Sequence, residues 1–158
     1  MNPCACGFLG HYSGRCRCTP DQVLRYRRKV SGPLLDRIDI QIEVPDVPSG
    51  ELTRAGCGEG SNVIRARVQK ARERMTERQG NENARLAPRE IDRHCALDEK
   101  GELLLKQAIS RLGLSVRGYH RVLKVARTIA DLAGAEHLAS VHVAEAIQFR
   151  RFDRVRDS

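Results

Sequence analysis

Apolar residues recur at helical spacing through the second half of the chain, and this pattern predicts about five helices between residues 61 and 152. The first of them begins at Ser61, stops at Gly80 and places Ile64, Val68, Ala71 and Met75 on one face. The others are predicted in the segments PREIDRHC, EKGELLLKQAISRLG, VRGYHRVLKVARTIADLAG and SVHVAEAIQFRR. Broad apolar faces in these segments indicate a small helical bundle, and no internal repeat interrupts it.

The segment TPDQVLRYRRKV predicts a further helix in the first half of the chain. Thr19 is suited to cap its start, Pro20 to occupy its first position, and Gln22 to close a capping box. The short run PLLDR after it predicts a turn or a brief helix. Both elements follow residues 1–18, whose Gly- and Cys-rich, non-periodic sequence predicts a loop organised by something other than an apolar core.

Strict alternation of apolar and polar residues marks the next segment, IDIQIEV. Alternation with a period of two predicts a half-buried strand over residues 38–44. Residues 45–60 then hold two prolines and four glycines with little periodicity. We interpret them as a linker, with a domain boundary near residue 60.

The composition suits one ordinary or two small soluble domains, since 41% of the 158 residues are hydrophobic. The formal net charge is +8, from 28 Lys and Arg against 20 Asp and Glu. Such an excess, mostly arginine, favours a nucleic-acid or nucleotide-phosphate partner, although a basic surface also aids solubility. No long apolar run or basic-then-apolar leader is present, so a cytoplasmic location without a membrane partner is expected.

Two Cys-x-Cys pairs fall within the first eighteen residues. Zinc takes four thiolates tetrahedrally in structural sites, and a metal can organise a loop that has no apolar core of its own. The sequence therefore predicts a structural zinc held by Cys4, Cys6, Cys16 and Cys18. His11 is an alternative ligand, and free thiols or a redox-active pair are the alternatives to a metal site.

A basic ridge runs along the helix that begins at Ser61. Its members lie at helical spacing and are candidates for contact with DNA, or they form a solvated face balanced by Glu73 and Glu77. They are Arg67, Lys70, Arg74 and Arg78. The sequence has no phosphate-binding loop of the Gly-x-x-x-x-Gly-Lys-Ser/Thr type and no Gly-x-Gly-x-x-Gly motif, so these 158 residues hold no complete nucleotide site by themselves.

Six motifs together resemble the C-terminal part of bacterial magnesium-chelatase-like AAA+ ATPases of the ComM/YifB type. They are MNPCACG, GRCRCTP, SGPLLDRIDIQIEVP, NARL, HCALD and LSVRGYHRVLKVARTIADL. The resemblance covers residues 1 to about 154. It implies a mainly α fold, with a helical lid domain at 61–154 preceded by an incomplete α/β remnant of the ATPase core at 1–44, in which the cysteine loop is an insertion. The 45–60 linker lies between them.

The resemblance also implies roles for individual residues. Arg37 matches an arginine finger that reaches the γ-phosphate bound by a neighbouring subunit, and Asn2 matches a polar sensor of the ATPase core. Arg117 matches the lid sensor that contacts the ATP phosphate, with Arg121 as the fallback. Ion pairing of Arg37 with Asp36 or Asp39, and ordinary solvation of the two lid arginines, are the alternatives.

At the level of the whole protein, the resemblance implies an ATP- and Mg²⁺-dependent ring, expected to be a hexamer, that acts on DNA. Branch migration or helicase action in recombination or natural transformation is the expected activity. The rest of the same polypeptide and the neighbouring subunits would be partners, and residues 1–158 alone would not hydrolyse ATP. The alternatives are the ATPase subunit of a magnesium chelatase that metalates a tetrapyrrole, and a stand-alone zinc-binding nucleic-acid module.

Overall fold

The computed structural model describes residues 1–44 and 58–150. Within these residues the chain forms seven α-helices and one 3₁₀ turn. They divide into a first unit of residues 1–35 and 44 and a helical unit of residues 36–43 and 58–150. The predicted mainly α fold is confirmed for the part of the chain that is described.

Two short helices, α1 (Pro20–Arg27) and α2 (Gly32–Leu35), belong to the first unit. The capping box predicted for α1 is present, since the Gln22 N–H donates to Thr19 Oγ1 at 3.3 Å and the Thr19 N–H donates to Gln22 Oε1 at 3.0 Å. Neither helix has a buried residue. Cys4 is the only buried side chain among the described residues of this unit.

The helical unit has the five predicted helices. Serine or aspartate side chains cap two of them, because Asp98 accepts from the Gly101 N–H at 2.7 Å and Ser115 from the Gly118 N–H at 3.1 Å. Three end in a left-handed glycine, among them Gly80 at φ 76°, the predicted stop of the first helix, and Gly113 at φ 60°. The helices are α3 (Ser61–Gln79), α4 (Pro88–His94), α5 (Glu99–Leu112), α6 (Val116–Ala133) and α7 (Ser140–Gln148), with the 3₁₀ turn at Asn83–Arg85.

Helix α6 lies at the centre of this unit and packs against α3, α4, α7 and the 3₁₀ turn, and α5 packs against α7. Four apolar side chains of α6 are at most 3% exposed, which confirms the broad apolar face predicted for its segment. The four are Val122, Leu123, Ala126 and Ala130. The face predicted for α3 is only half right, because Ala71 and Met75 are buried while Ile64 and Val68 are about two-fifths exposed, at 41% and 42%.

The half-buried strand predicted at 38–44 is wrong. The segment belongs to no β-ladder among the described residues, and Ile40 and Ile42 are 51% and 65% exposed. It is instead fixed to the chain just after α7, where the Gln41 N–H donates to the Phe149 carbonyl at 3.0 Å and the Arg150 guanidinium donates to the Ile38 carbonyl. An alternating pattern needs a neighbouring strand to complete it, and the described residues provide none.

The predicted division at residues 1–44, 45–60 and 61–154 stays a prediction. Most of the linker, residues 45–57, and the last residues of the lid, 151–154, lie outside the described residues. Segment 36–43 groups with the helical unit. Within residues 1–44 and 58–150, none of the helices combines the length and the apolar composition that crossing a bilayer requires.

Candidate functional site

One end of the helical unit brings segment 36–43 against the start of α6. The Ser115 hydroxyl, which caps α6, also donates to Asp36 Oδ2 at 3.1 Å. One turn into the helix, Arg121 forms an ion pair with Asp39. Arg150, which is 1% exposed, adds a third link, because its Nη2 lies 3.8 Å from Asp36 Oδ1. The segment is therefore held at the N-terminus of α6 by polar contacts.

Arg37 directly follows Asp36 in sequence, and Arg117 lies two residues after Ser115. The Asp36–Ser115 hydrogen bond therefore joins the two segments that carry these arginines. Both arginines are exposed, and neither has a hydrogen bond or ion pair to the described residues. The two aspartates considered as partners of Arg37 are engaged elsewhere, since Asp36 contacts Ser115 and Asp39 pairs with Arg121. Two exposed guanidinium groups that lack a partner in the described part of the chain fit an anionic ligand.

Arg121 differs from Arg117 in this respect. It is about a quarter exposed, with 27% of its side-chain area accessible, and its charge is matched by Asp39. A side chain that fixes segment 36–43 is less available to a phosphate. The structure thus favours Arg117 over the fallback candidate.

Asn2, the predicted core sensor, lies in the first unit. Its side chain is exposed, and a Cβ added at Gly7 would meet its amide nitrogen at 3.4 Å. No hydrogen bond joins the Asn2 side chain to another described residue. Its role as a sensor stays a prediction.

The four cysteines of the first eighteen residues converge in the first unit. Their sulfur atoms all lie within 4.8 Å of one another. The Sγ–Sγ distances are 3.4 Å from Cys4 to Cys6, 3.8 Å from Cys4 to Cys16 and 3.7 Å from Cys6 to Cys16. None of these four thiols is in a disulfide.

A turn explains how the first Cys-x-Cys pair presents both sulfurs to one point. The Gly7 N–H donates to the Cys4 carbonyl at 3.1 Å, and Gly7 adopts φ 83°, which a residue with a side chain rarely adopts. A hydrogen bond from the Phe8 N–H and, to a smaller extent, one from the Cys4 thiol lower the pKa of Cys6 to about 6. His11 does not belong to the cluster, and its Nδ1 accepts from the Ser13 N–H at 2.9 Å.

The basic ridge of α3 is divided by the structure. Arg67 makes two hydrogen bonds of 3.0 Å to Glu59, and Lys70 is exposed without a described partner. Arg74 donates to the Asp131 carbonyl at 2.8 Å, and Arg78 donates to Asp131 Oδ2 at 2.9 Å. Arg74 and Arg78 therefore stabilise the packing of α3 on α6, although Arg74 remains exposed, while Arg67 and Lys70 are exposed and make no hydrogen bond or ion pair with the described residues of α6.

Sequence reasoning missed the buried network around Asp131, which is 0% exposed. Besides Arg78, it accepts from Arg127 Nη2 at 3.0 Å and from Asn83 Nδ2 at 2.8 Å. Arg127 in turn donates to the carbonyl of Ala135 at 2.7 Å. The one available signal was the Arg127–Asp131 spacing of four residues on the otherwise apolar side of α6.

Comparisons with known proteins agree with this architecture. Residues 58–150 match the family described as magnesium chelatase, subunit ChlI C-terminal, and residues 1–52 match the family described as magnesium chelatase, subunit ChlI. The chain is 47% identical over 157 residues to the competence protein ComM of Haemophilus influenzae. It is 45% identical to the uncharacterized protein YifB of Salmonella typhimurium and 43% identical to that of Escherichia coli, again over 157 residues.

Each of these three alignments covers 98% of this chain and 30% of the relative. The chain thus spans less than a third of the length of the curated relatives that it matches.

Proposed function

Because the chain belongs to the magnesium chelatase subunit ChlI family, we propose that it is the C-terminal part of an ATP-dependent AAA+ ring motor that acts on DNA. In this proposal the helical unit is the lid, and the rest of the polypeptide supplies the phosphate-binding loop. Branch migration during recombination or natural transformation is the activity of the whole protein. The name competence protein, given to the relative from Haemophilus influenzae, supports that assignment.

The hydrogen bond between Ser115 and Asp36 is the observation that carries the ATPase part of the proposal, because it joins the segment in which Arg37 follows Asp36 to the segment in which Arg117 lies two residues after Ser115. Both guanidinium groups are exposed. A planar guanidinium can donate to two phosphate oxygens at once and keeps its charge at any physiological pH. Arg37 would bind the γ-phosphate as a finger, and Arg117 would bind ATP phosphate as the lid sensor. ATP with Mg²⁺ supplies the transferable phosphoryl group.

The test is ATP turnover by the full-length protein with Arg37→Ala or Arg117→Ala. Each change is expected to lower kcat about a hundredfold or more, because an arginine that meets the transition state is worth at least that factor. Arg89→Ala is the matched control, since Arg89 is exposed on α4 and should leave turnover unchanged. Arg121→Ala should act mainly on stability, because Arg121 pairs with Asp39. Full turnover in both finger and sensor variants would reject the proposal.

Lys70, exposed without a partner among the described residues, carries the DNA part of the proposal, together with Arg67, whose exposed ion pair with Glu59 would open to bind a phosphate. Phosphate contacts from such residues release counterions and strengthen binding at low salt. The family description favours a second candidate, an ATPase subunit that drives magnesium into a tetrapyrrole. Stimulation of full-length ATP turnover by branched DNA, weakened in the Arg67→Ala/Lys70→Ala variant, supports the motor. Stimulation by a tetrapyrrole and not by DNA supports the chelatase.

A further inference from the structure

The described residues of the first unit form no apolar core. Of its described residues only Cys4 is buried, and α1 and α2 bury nothing. A chain segment of this size ordinarily needs a metal, disulfides or a partner to hold a fixed fold. No disulfide joins the four thiols. Something other than hydrophobic packing must therefore fix residues 1–18.

The geometry of the sulfur atoms fits a tetrahedral metal. A Zn–S bond of about 2.3 Å places the four sulfurs of a tetrahedron about 3.8 Å apart. The three Sγ–Sγ separations among Cys4, Cys6 and Cys16, from 3.4 to 3.8 Å, lie close to that edge. They are too long for a disulfide, whose sulfurs are about 2.05 Å apart. Cys18 completes the set, since all four sulfurs lie within 4.8 Å of one another.

We propose that Cys4, Cys6, Cys16 and Cys18 bind one Zn²⁺ as a closed four-thiolate structural site, and that this metal replaces an apolar core for the first unit. Four protein ligands leave no open position for a substrate, so the site is structural and not catalytic. Binding displaces the thiol protons, and each sulfur donates an electron pair to the metal. His11 is not a ligand, because it lies outside the sulfur cluster and its Nδ1 accepts from Ser13.

The metal would have a mechanical consequence for α1. Cys18 directly precedes Thr19, the N-cap of α1, and Arg27 at the end of that helix donates to the Pro3 carbonyl at 3.3 Å, one residue before Cys4. The zinc therefore fixes the chain on both sides of the helix. Without it, α1 has a cap but no buried face to stabilise it.

The test is metal analysis of residues 1–158, expressed with zinc and purified under reducing conditions. One zinc per chain is expected, and Cys4→Ser/Cys16→Ser should lose it. Cys95→Ala is the matched control, because Cys95 is buried in the helical unit and should leave the zinc in place. Cys57→Ser, outside the described residues, should also retain it. Replacement of zinc by Co²⁺ should give the visible absorption of a tetrahedral tetrathiolate, unchanged by His11→Ala.

Three results would overturn the proposal. The first is reduced wild-type protein without zinc whose four thiols all react with a thiol reagent. The second is a mass-mapped disulfide between two of the four cysteines in protein purified without oxidant. The third is loss of zinc in Cys57→Ser or a changed cobalt spectrum in His11→Ala. Because wild-type metal content and the cobalt spectrum need no destabilising change, a cysteine variant that fails to fold does not block the decision.

Discussion

At the scale of single residues, Asp131 is a buried charged group of the helical unit. Its carboxylate is fully buried and is held by Arg78, Arg127 and Asn83. Burial alone would raise the pKa of Asp131, but the hydrogen bonds from Arg78 and Asn83 and the charge of Arg127 outweigh it, so the pKa lies below its ordinary value of 3.8. The charged form is therefore the one that the fold stabilises.

Asp131→Asn should destabilise the helical unit by about 3–5 kcal/mol, because it leaves the buried Arg127 guanidinium without its counter-ion. Chemical denaturation followed by circular dichroism measures the free energy of unfolding. Glu73→Gln on the exposed side of α3 is the matched control and should change that free energy by less than about 0.5 kcal/mol. An effect of Asp131→Asn as small as that of the control would contradict the role given to the network.

The Asp131 carboxylate also makes the free energy of unfolding depend on pH, and acidification lowers that free energy. Because the folded pKa of Asp131 is depressed, its contribution to stability is complete well above the ordinary value of 3.8 and is lost as the pH falls through the folded pKa. The free energy of unfolding of the wild type should thus fall more steeply on acidification below about pH 5 than that of Asp131→Asn. Parallel acid profiles would contradict this.

Sequence reasoning succeeded and failed at this scale for a physical reason. The Thr19–Gln22 capping box is a contact between residues three apart, so its chemistry is visible in the sequence. Asp131 is paired with Arg78, which is 53 residues away, and such a pairing depends on how α3 packs on α6. The roles assigned to Arg37, Asn2 and Arg117 stay predictions, because each depends on a nucleotide.

At the scale of secondary-structure elements, helix ends were well predicted and the strand was not. Gly80 and Gly113 end helices because each takes the left-handed conformation that closes a helix, a local property. The alternation in residues 38–44 is equally clear in the sequence, but a strand forms only when a second strand supplies its hydrogen bonds. In the described residues the segment is fixed by side chains and by the end of α7 instead.

Ser115→Ala tests this attachment at the level of the element. Loss of the N-cap should destabilise the helical unit by about 1 kcal/mol, and loss of the bond to Asp36 should loosen segment 36–43. Amide hydrogen exchange at Gln41, whose N–H donates to Phe149, should therefore become faster. Asp98→Ala removes the comparable cap of α5 without touching the segment. Equal protection of Gln41 in both variants would contradict the attachment.

At the scale of the whole molecule, the two units have different sources of stability. The helical unit has a continuous apolar core built around α6, so its fold follows from helix patterning and could be predicted from periodicity. The first unit has one buried side chain among its described residues, so its fold cannot be predicted from apolar periodicity. The cysteine spacing is the most informative feature of its sequence. The spacing suggested a metal site, and the structure brings the four sulfurs together.

The assignment of Arg37 as a finger also makes a prediction about the assembly. If Arg37 serves the nucleotide of a neighbouring subunit, each active site combines this arginine from one chain with a phosphate-binding loop from another. A full-length Arg37→Ala protein and a full-length protein with its phosphate-binding-loop lysine changed to Ala should each be inactive alone. Mixing them should restore part of the ATP turnover, because some interfaces then pair an intact loop with an intact arginine.

Mixed rings distinguish an Arg37 that serves the nucleotide of a neighbouring subunit from one that serves the nucleotide of its own subunit. If Arg37 served the nucleotide of its own subunit, every site in the mixture would lack either the arginine or the lysine, and turnover would stay at the level of the separate variants. Arg117→Ala, mixed with the same lysine variant, measures independently which subunit the lid arginine serves. Because Ser115 and Asp36 link the two arginine-bearing segments in one chain, we expect both mixtures to recover turnover together.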